Sequence, residues 1–125
     1  MKTYLAIQND IIVFADTSRE VVENLPKITI TSIEETEEPV ENIQGIYWVG
    51  EERIKDAKKQ MIRDIRNRLL EKEVDPIVSN PLRWADMSEE DQNDYLGYRL
   101  YLLNYTEKPM WWEKEPLNFE KWKNN

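Results

Sequence analysis

Neither cysteine nor histidine occurs in this 125-residue sequence, and glycine occurs only three times. The missing cysteines exclude disulfides, thiolate nucleophiles and soft-metal sites, and the missing histidines remove the usual proton shuttle near neutral pH. There is no glycine-rich phosphate loop, and no pair of acids stands out from ordinary surface charge. Nothing therefore points to a catalytic residue, a cofactor or a metal. No run of about twenty apolar residues is present, and Met1-Lys2-Thr3-Tyr4 is not followed by a signal-peptide core. The expectation is a chain synthesised in the cytoplasm.

What the sequence does hold is acid and aromatics. Asp plus Glu is 25 against 17 Lys plus Arg, a net charge of −8, which repels nucleic-acid phosphates and anionic membranes and leaves neither as the expected partner. Thirteen aromatics among 40% hydrophobic residues are enough apolar surface to offset the entropy of ordering, so the chain is expected to fold. Its length has room for one core, or for a small module joined to a helical extension.

Residues 1–50 read as a small β-rich module. Tyr4-Leu5-Ala6-Ile7 and Ile11-Ile12-Val13-Phe14 flank Asn9-Asp10, a pair suited to a tight hairpin turn. Thr17 and Glu20 have the spacing of a capping box before a short helix that Pro26 ends. Lys27 to Ile33 alternates as a third strand. Glu34 to Pro39 reads as an exposed acidic loop, and Ile43 to Val49 as a fourth strand closed by Gly50.

Residues 51–125 read as helical. From Glu51 to Val74 neither Gly nor Pro interrupts a pattern of Ile54, Ala57, Met61, Ile65 and Leu69, which predicts one long amphipathic helix with a solvated basic side. Asp75-Pro76 is expected to end it, with Pro76 to Asp86 a long loop carrying Trp84. Ser88 followed by Glu89, Glu90 and Asp91 opens a second helix, expected to run to Tyr105. Its many apolar positions predict cover on more than one side. The fold class is thus α+β: the β-rich module, a long-helix antiparallel helical hairpin, and an aromatic-rich extended tail with a last turn near Phe119 to Trp122. Nine of the thirteen aromatics lie from Trp84 onward. Either the tail packs back on the hairpin, or its rings are offered to a partner. Trp111 and Trp112, adjacent in an extended segment, are expected to point opposite ways.

Arg66-Asn67-Arg68-Leu69-Leu70, then Asp75, Ser88-Glu89-Glu90, Tyr95-Leu96-Gly97-Tyr98-Arg99, Leu102, Asn104, and Trp112 before Pro116 occur in this order. Together they resemble the tail assembly chaperone family of tailed bacteriophages and prophages, over about residues 62–122. Tyr95 stands where that family has Trp, Leu103-Asn104 replace its Arg-Asp pair, and Asp75 lies one residue farther from Leu70 and is followed by Pro76. Residues 1–50 carry no part of the likeness. The resemblance implies a non-enzymatic helper in the cytoplasm of a host bacterium that binds a tail or tail-fibre protein. A structural component of the virion tail and an acidic inhibitor or decoy are the competing readings. Partner-binding candidates are Trp84, Tyr95, Tyr98, Arg99, Trp111, Trp112 and Trp122. Arg99 has two readings, pairing with Asp91, Asp94 or Glu89 beside a tyrosine, or reaching a carboxylate of the client.

Overall fold

Asn9 and Asp10 both adopt positive φ, 50° and 67°, as a two-residue hairpin turn matched to the strand twist requires. In the computed structural model, which describes residues 1–25 and 30–125, this turn joins β1 (Thr3–Gln8) to β2 (Ile11–Asp16), with a bulge at Ala6/Ile7. The protein is mixed α+β. Its chain divides into two compact units, Met1–Lys58 and Lys59–Asn125, which are described in turn.

In the first unit a helix, α1 (Arg19–Glu23), follows β2. Its cap is Ser18, one residue beyond the expected Thr17: the Ser18 hydroxyl accepts from the Val21 N–H, and the Asp16 carboxylate accepts from the Ser18 N–H at 2.8 Å. Val22 points inward and is fully buried. The helix closes at Asn24; Pro26 and the Lys27 to Thr29 part of the expected third strand lie outside the described residues. The strand that is described, β3 (Ser32–Thr36), pairs antiparallel with the free edge of β1, from Ile7↔Ser32 to Thr3↔Thr36, so the sheet order is β2-β1-β3. This corrects the reading of Glu34 to Thr36 as loop, while Glu37 to Pro39 do form the loop between β3 and β4. Glu34 and Glu35 are exposed strand residues, and charge on an edge strand is compatible with pairing on one side while discouraging it on the other.

The expected fourth strand is a second hairpin, β4 (Val40–Ile43) and β5 (Ile46–Val49). Gln44 and Gly45 form its turn with φ of 53° and 85°, and the Asn42 side-chain oxygen accepts from the Gly45 N–H at 2.9 Å. The apolar run from Ile43 to Val49 concealed this turn, because both flanking residues, Ile43 and Ile46, suit a strand. Leu5, Ala6, Val22, Ile43 and Ile54 form the buried apolar set of the unit.

Helix α2 (Glu51–Leu69) begins at the second hairpin and ends in the second unit. It does not stop at Asp75-Pro76 as expected. It widens into a π turn over Leu70–Val74, in which the Asp75 N–H reaches back to the Leu70 carbonyl, and continues as α3 (Asp75–Val78). Proline in an unbroken α-helix would clash with the carbonyl four residues back and leave it without a donor. The wider turn instead places Pro76 at the start of a new segment, where a missing N–H costs nothing. Pro81 does the same for α4 (Pro81–Ala85), capped by the Asn80 side chain. The stretch read as a long loop is therefore two short helices.

Ser88 caps α5 (Glu89–Leu103) as expected, its hydroxyl accepting from the Asp91 N–H at 3.1 Å. Two 3-10 turns, Tyr105–Glu107 and Trp111–Glu113, lead to α6 (Phe119–Lys123). The core of this unit is Val74, Tyr98 and Leu102, all 0% exposed, with Leu69, Leu70, Val78, Tyr101, Phe119 and Trp122 packed around them. The tail thus folds back on the helices.

Burial pushes the Tyr98 phenol above its ordinary pKa of 10.0, and the nearby Glu73 carboxylate adds to the shift. A raised folded-state value means the neutral phenol stabilises the fold fully below about pH 10, and this contribution is lost as pH rises toward the folded value. Tyr98→Phe is expected to lower stability at neutral pH by about 1–2 kcal/mol and to flatten the alkaline fall. Denaturant unfolding across pH checks this; an unchanged alkaline slope in the variant would assign the fall to other groups.

Candidate functional site

Helix α5 carries apolar side chains on two sides. Tyr98 and Leu102, with Tyr95 and Tyr101 half-buried beside them, face the core. Leu96, Leu100 and Leu103 recur at spacings of four and three, which places them on one face, and they are 48%, 59% and 41% exposed. Arg99 lies three residues from Leu96 and four from Leu103, on the flank of the same face, and is exposed. The expected cover on more than one side does not extend to these leucines.

The tyrosine side is locked by hydrogen bonds. The Tyr98 hydroxyl proton lies between two acceptors, the Glu73 carboxylate at 3.1 Å and the Leu117 carbonyl at 2.9 Å. The same Glu73 oxygen accepts from the Phe119 N–H at 3.0 Å, an otherwise unsatisfied donor at the start of α6. The Tyr101 hydroxyl accepts from the Leu117 N–H at 2.8 Å, and the Tyr105 hydroxyl donates to the Lys114 carbonyl at 2.6 Å. Residues 114–117 belong to no helix or strand, so their backbone groups need outside partners. Two tyrosines of α5 and one from the 3-10 turn after it supply them. Burial, then Tyr101 and Glu115, also raises the Tyr105 pKa.

The rings named as candidate partner contacts therefore divide. Tyr98 is wholly buried and offers no surface. Tyr95 is stacked on Phe119 with ring centres 4.4 Å apart and planes within 5°. Trp122 leans on Tyr98 at 5.5 Å, and its edge lies so near Gly97 that a Cβ there would approach to 3.0 Å. These three are held by the fold. Trp84 is half-buried on α4, and its backbone carbonyl accepts from the Gln92 side chain at 2.7 Å.

Trp111 and Trp112 do not point opposite ways. Met110, at φ 53°, turns the chain into the 3-10 segment, and the two rings meet edge-on at 5.9 Å. The Arg63 guanidinium lies 5.2 Å from the Trp111 ring centre and the Lys59 ammonium 4.9 Å from that of Trp112. Such contacts contribute about 0.5–1 kcal/mol each when exposed. Two of the basic residues of α2, read as solvated, thus seat the tail.

Arg99 is the candidate left open. Asp94, one of its expected partners, is engaged by Lys123 at 3.6 Å, and Arg99 forms no ion pair among the described residues. Sequence reasoning missed its neighbours Leu96, Leu100 and Leu103. The signal was present as two interleaved stripes, tyrosines at 98, 101 and 105 and leucines at 96, 100 and 103, of which only the first carries hydroxyls to hold a tail.

Among the described residues no group of three or more His, Cys, Asp or Glu could hold a metal ion, and no helix is long and apolar enough to cross a membrane. What the α5 face can do is lose apolar surface to another molecule while offering one cation. If it is open as described, Leu100→Ser changes stability by no more than about 0.5 kcal/mol. Leu102→Ala, two residues on and on the core side of the helix, costs about 2–5 kcal/mol. Denaturant titration of both variants decides it, since equal losses would show Leu100 to be covered in solution.

Comparison with protein-family models, with curated proteins and with solved structures returns no match.

Proposed function

We propose that this chain is a non-enzymatic assembly chaperone of the tailed-phage kind, holding a tail or tail-fibre protein on the leucine face of α5 in the cytoplasm of a host bacterium. The observation that carries the reading is that Leu96, Leu100, Leu103 and Arg99 are exposed on one face of a helix whose other side is fully engaged. A binding surface of this kind works without rearrangement: the apolar residues sit on a rigid helix, so little ordering entropy opposes docking.

The residues that resemble the phage family sort in a way that supports this reading. Ser88 caps α5, Asp75 opens α3 after the π turn, and Tyr98 and Leu102 are core. These build the scaffold. Arg99, next to Tyr98 in the Tyr-Arg motif, projects from it. The net charge of −8 keeps a complex with an apolar client in solution and disfavours association between copies.

Co-expression of the tagged chain with the tail genes that neighbour its own tests the proposal. The expected result is recovery of one tail or tail-fibre protein with the wild type and its loss with Leu100→Asp, both folded by circular dichroism. Recovery with both chains would remove the α5 face from the reading, and recovery with neither would remove the function. A tail component, unlike a chaperone, would also be present at fixed stoichiometry in purified particles.

A further inference from the structure

We infer that the occupant of the α5 face is an amphipathic helix from another protein, with a carboxylate beside the middle of its apolar seam, rather than a second copy of this chain. This rests on the reading of that face as a docking surface and adds the chemistry of what docks there.

Shape sets the first constraint. Leu96, Leu100 and Leu103 form a ridge over two turns, about 10 Å long at 1.5 Å per residue. A ridge of spacing four and three fits the groove between the side-chain rows of a facing helix, the usual way two helices pack. Short helical segments dock in the same manner through anchors at such spacings.

Charge sets the second. Arg99 sits within one residue of the centre of the ridge, and its charge is not met by any carboxylate among the described residues. A purely apolar partner would strip water from the guanidinium without replacing it, which opposes docking. A carboxylate opposite Arg99 turns that cost into a charge-assisted, two-pronged contact. The N-terminal end of the ridge has the opposite sign. Glu89 lies two turns before Leu96 on the same face, followed by Glu90 and Asp91, and all three are exposed. A Lys or Arg on the partner about three turns from its carboxylate would meet them and fix the direction of docking.

The same geometry argues against self-association. In a two-fold pairing centred on the ridge, each part of the patch meets its own copy. Arg99 would then stand beside Arg99, and two chains of net charge −8 would approach each other. A different protein avoids both.

Two synthetic amphipathic peptides test this, identical in their leucine seam and carrying either Glu or Lys beside its middle. Both are titrated by fluorescence anisotropy against the full chain, Arg99→Glu and Leu100→Asp. The wild type is expected to bind the Glu peptide about tenfold more tightly than the Lys peptide. Arg99→Glu should reverse the order, and Leu100→Asp should lose both. Equal affinities, an order unchanged in Arg99→Glu, or no binding of either peptide would overturn the inference. So would a dimer, seen by sedimentation of the chain alone, that Leu100→Asp dissolves. Capture of a tail protein that requires Leu100 but is indifferent to Arg99→Glu would overturn this inference and keep the chaperone reading. Peptide discrimination without any captured tail protein would do the reverse.

Discussion

One carboxylate oxygen of Glu73 receives the Tyr98 hydroxyl at 3.1 Å and the Phe119 backbone N–H at 3.0 Å. These donors lie 25 and 46 residues further along the chain, so a single charged group ties the end of the long helix, the middle of α5 and the start of α6. Hydrogen bonds to a charged acceptor are roughly twice as strong as neutral ones. Here they also satisfy a buried phenol and a helix-terminal amide that would be costly to leave unpaired. Glu73 itself sits in the π turn that lets the helix pass Pro76. The placement of α5, and with it the outward aim of its leucines, depends on this contact within the second unit.

The remaining tyrosines extend the same logic. A tail of nineteen residues with two prolines cannot make a regular ladder, so its backbone groups need partners from outside. Tyr101 and Tyr105 give theirs, Phe119 and Trp122 add stacked and tilted ring contacts, and Arg63 and Lys59 cover the tryptophans. Aromatic residues suit this work because each carries a large apolar body and, in tyrosine, a polar tip. The richness of the tail in rings reflects how it is fastened.

Where local rules decide the outcome, the sequence was legible: Asn9-Asp10 as a hairpin turn, Ser88 with three acids as a helix start, the apolar period of Glu51 to Leu69. It was misleading where one residue type serves two purposes. Pro76 was read as a stop and the stretch from Pro76 to Asp86 as loop, yet Pro76 and Pro81 each suit the first turn of a helix, and for Pro76 the π turn before it decides between the two. Glu34 and Glu35 were read as loop from mutual repulsion, which an edge strand open to water on one side relieves. Gln44-Gly45 was absorbed into a strand because its neighbours are β-formers. Of the candidate site, Arg99 was legible from its motif, but Tyr95, Tyr98 and Trp122 were not separable from it: aromatic content says that rings will be buried or offered, and tertiary contacts alone say which. The leucine face was hidden for the same reason, since a helix apolar all round gives no preferred side.

That last ambiguity bears on function. A helix with one apolar face buries it and stops; α5 has two, and the tyrosine face wins the core because it adds hydrogen bonds to apolar burial. The leucines, with no polar tips to hold a tail, are left outward. Apolar patches of up to a few hundred Å² are ordinary on monomers, and the −8 charge opposes pairing of this one between copies. A chain that fastens its own tail through tyrosines and leaves leucines to solvent has separated what folds it from what it offers. On the proposed chaperone reading, changes on that face would alter client binding with little effect on the fold, because the residues that fold the second unit and those left to solvent are different ones.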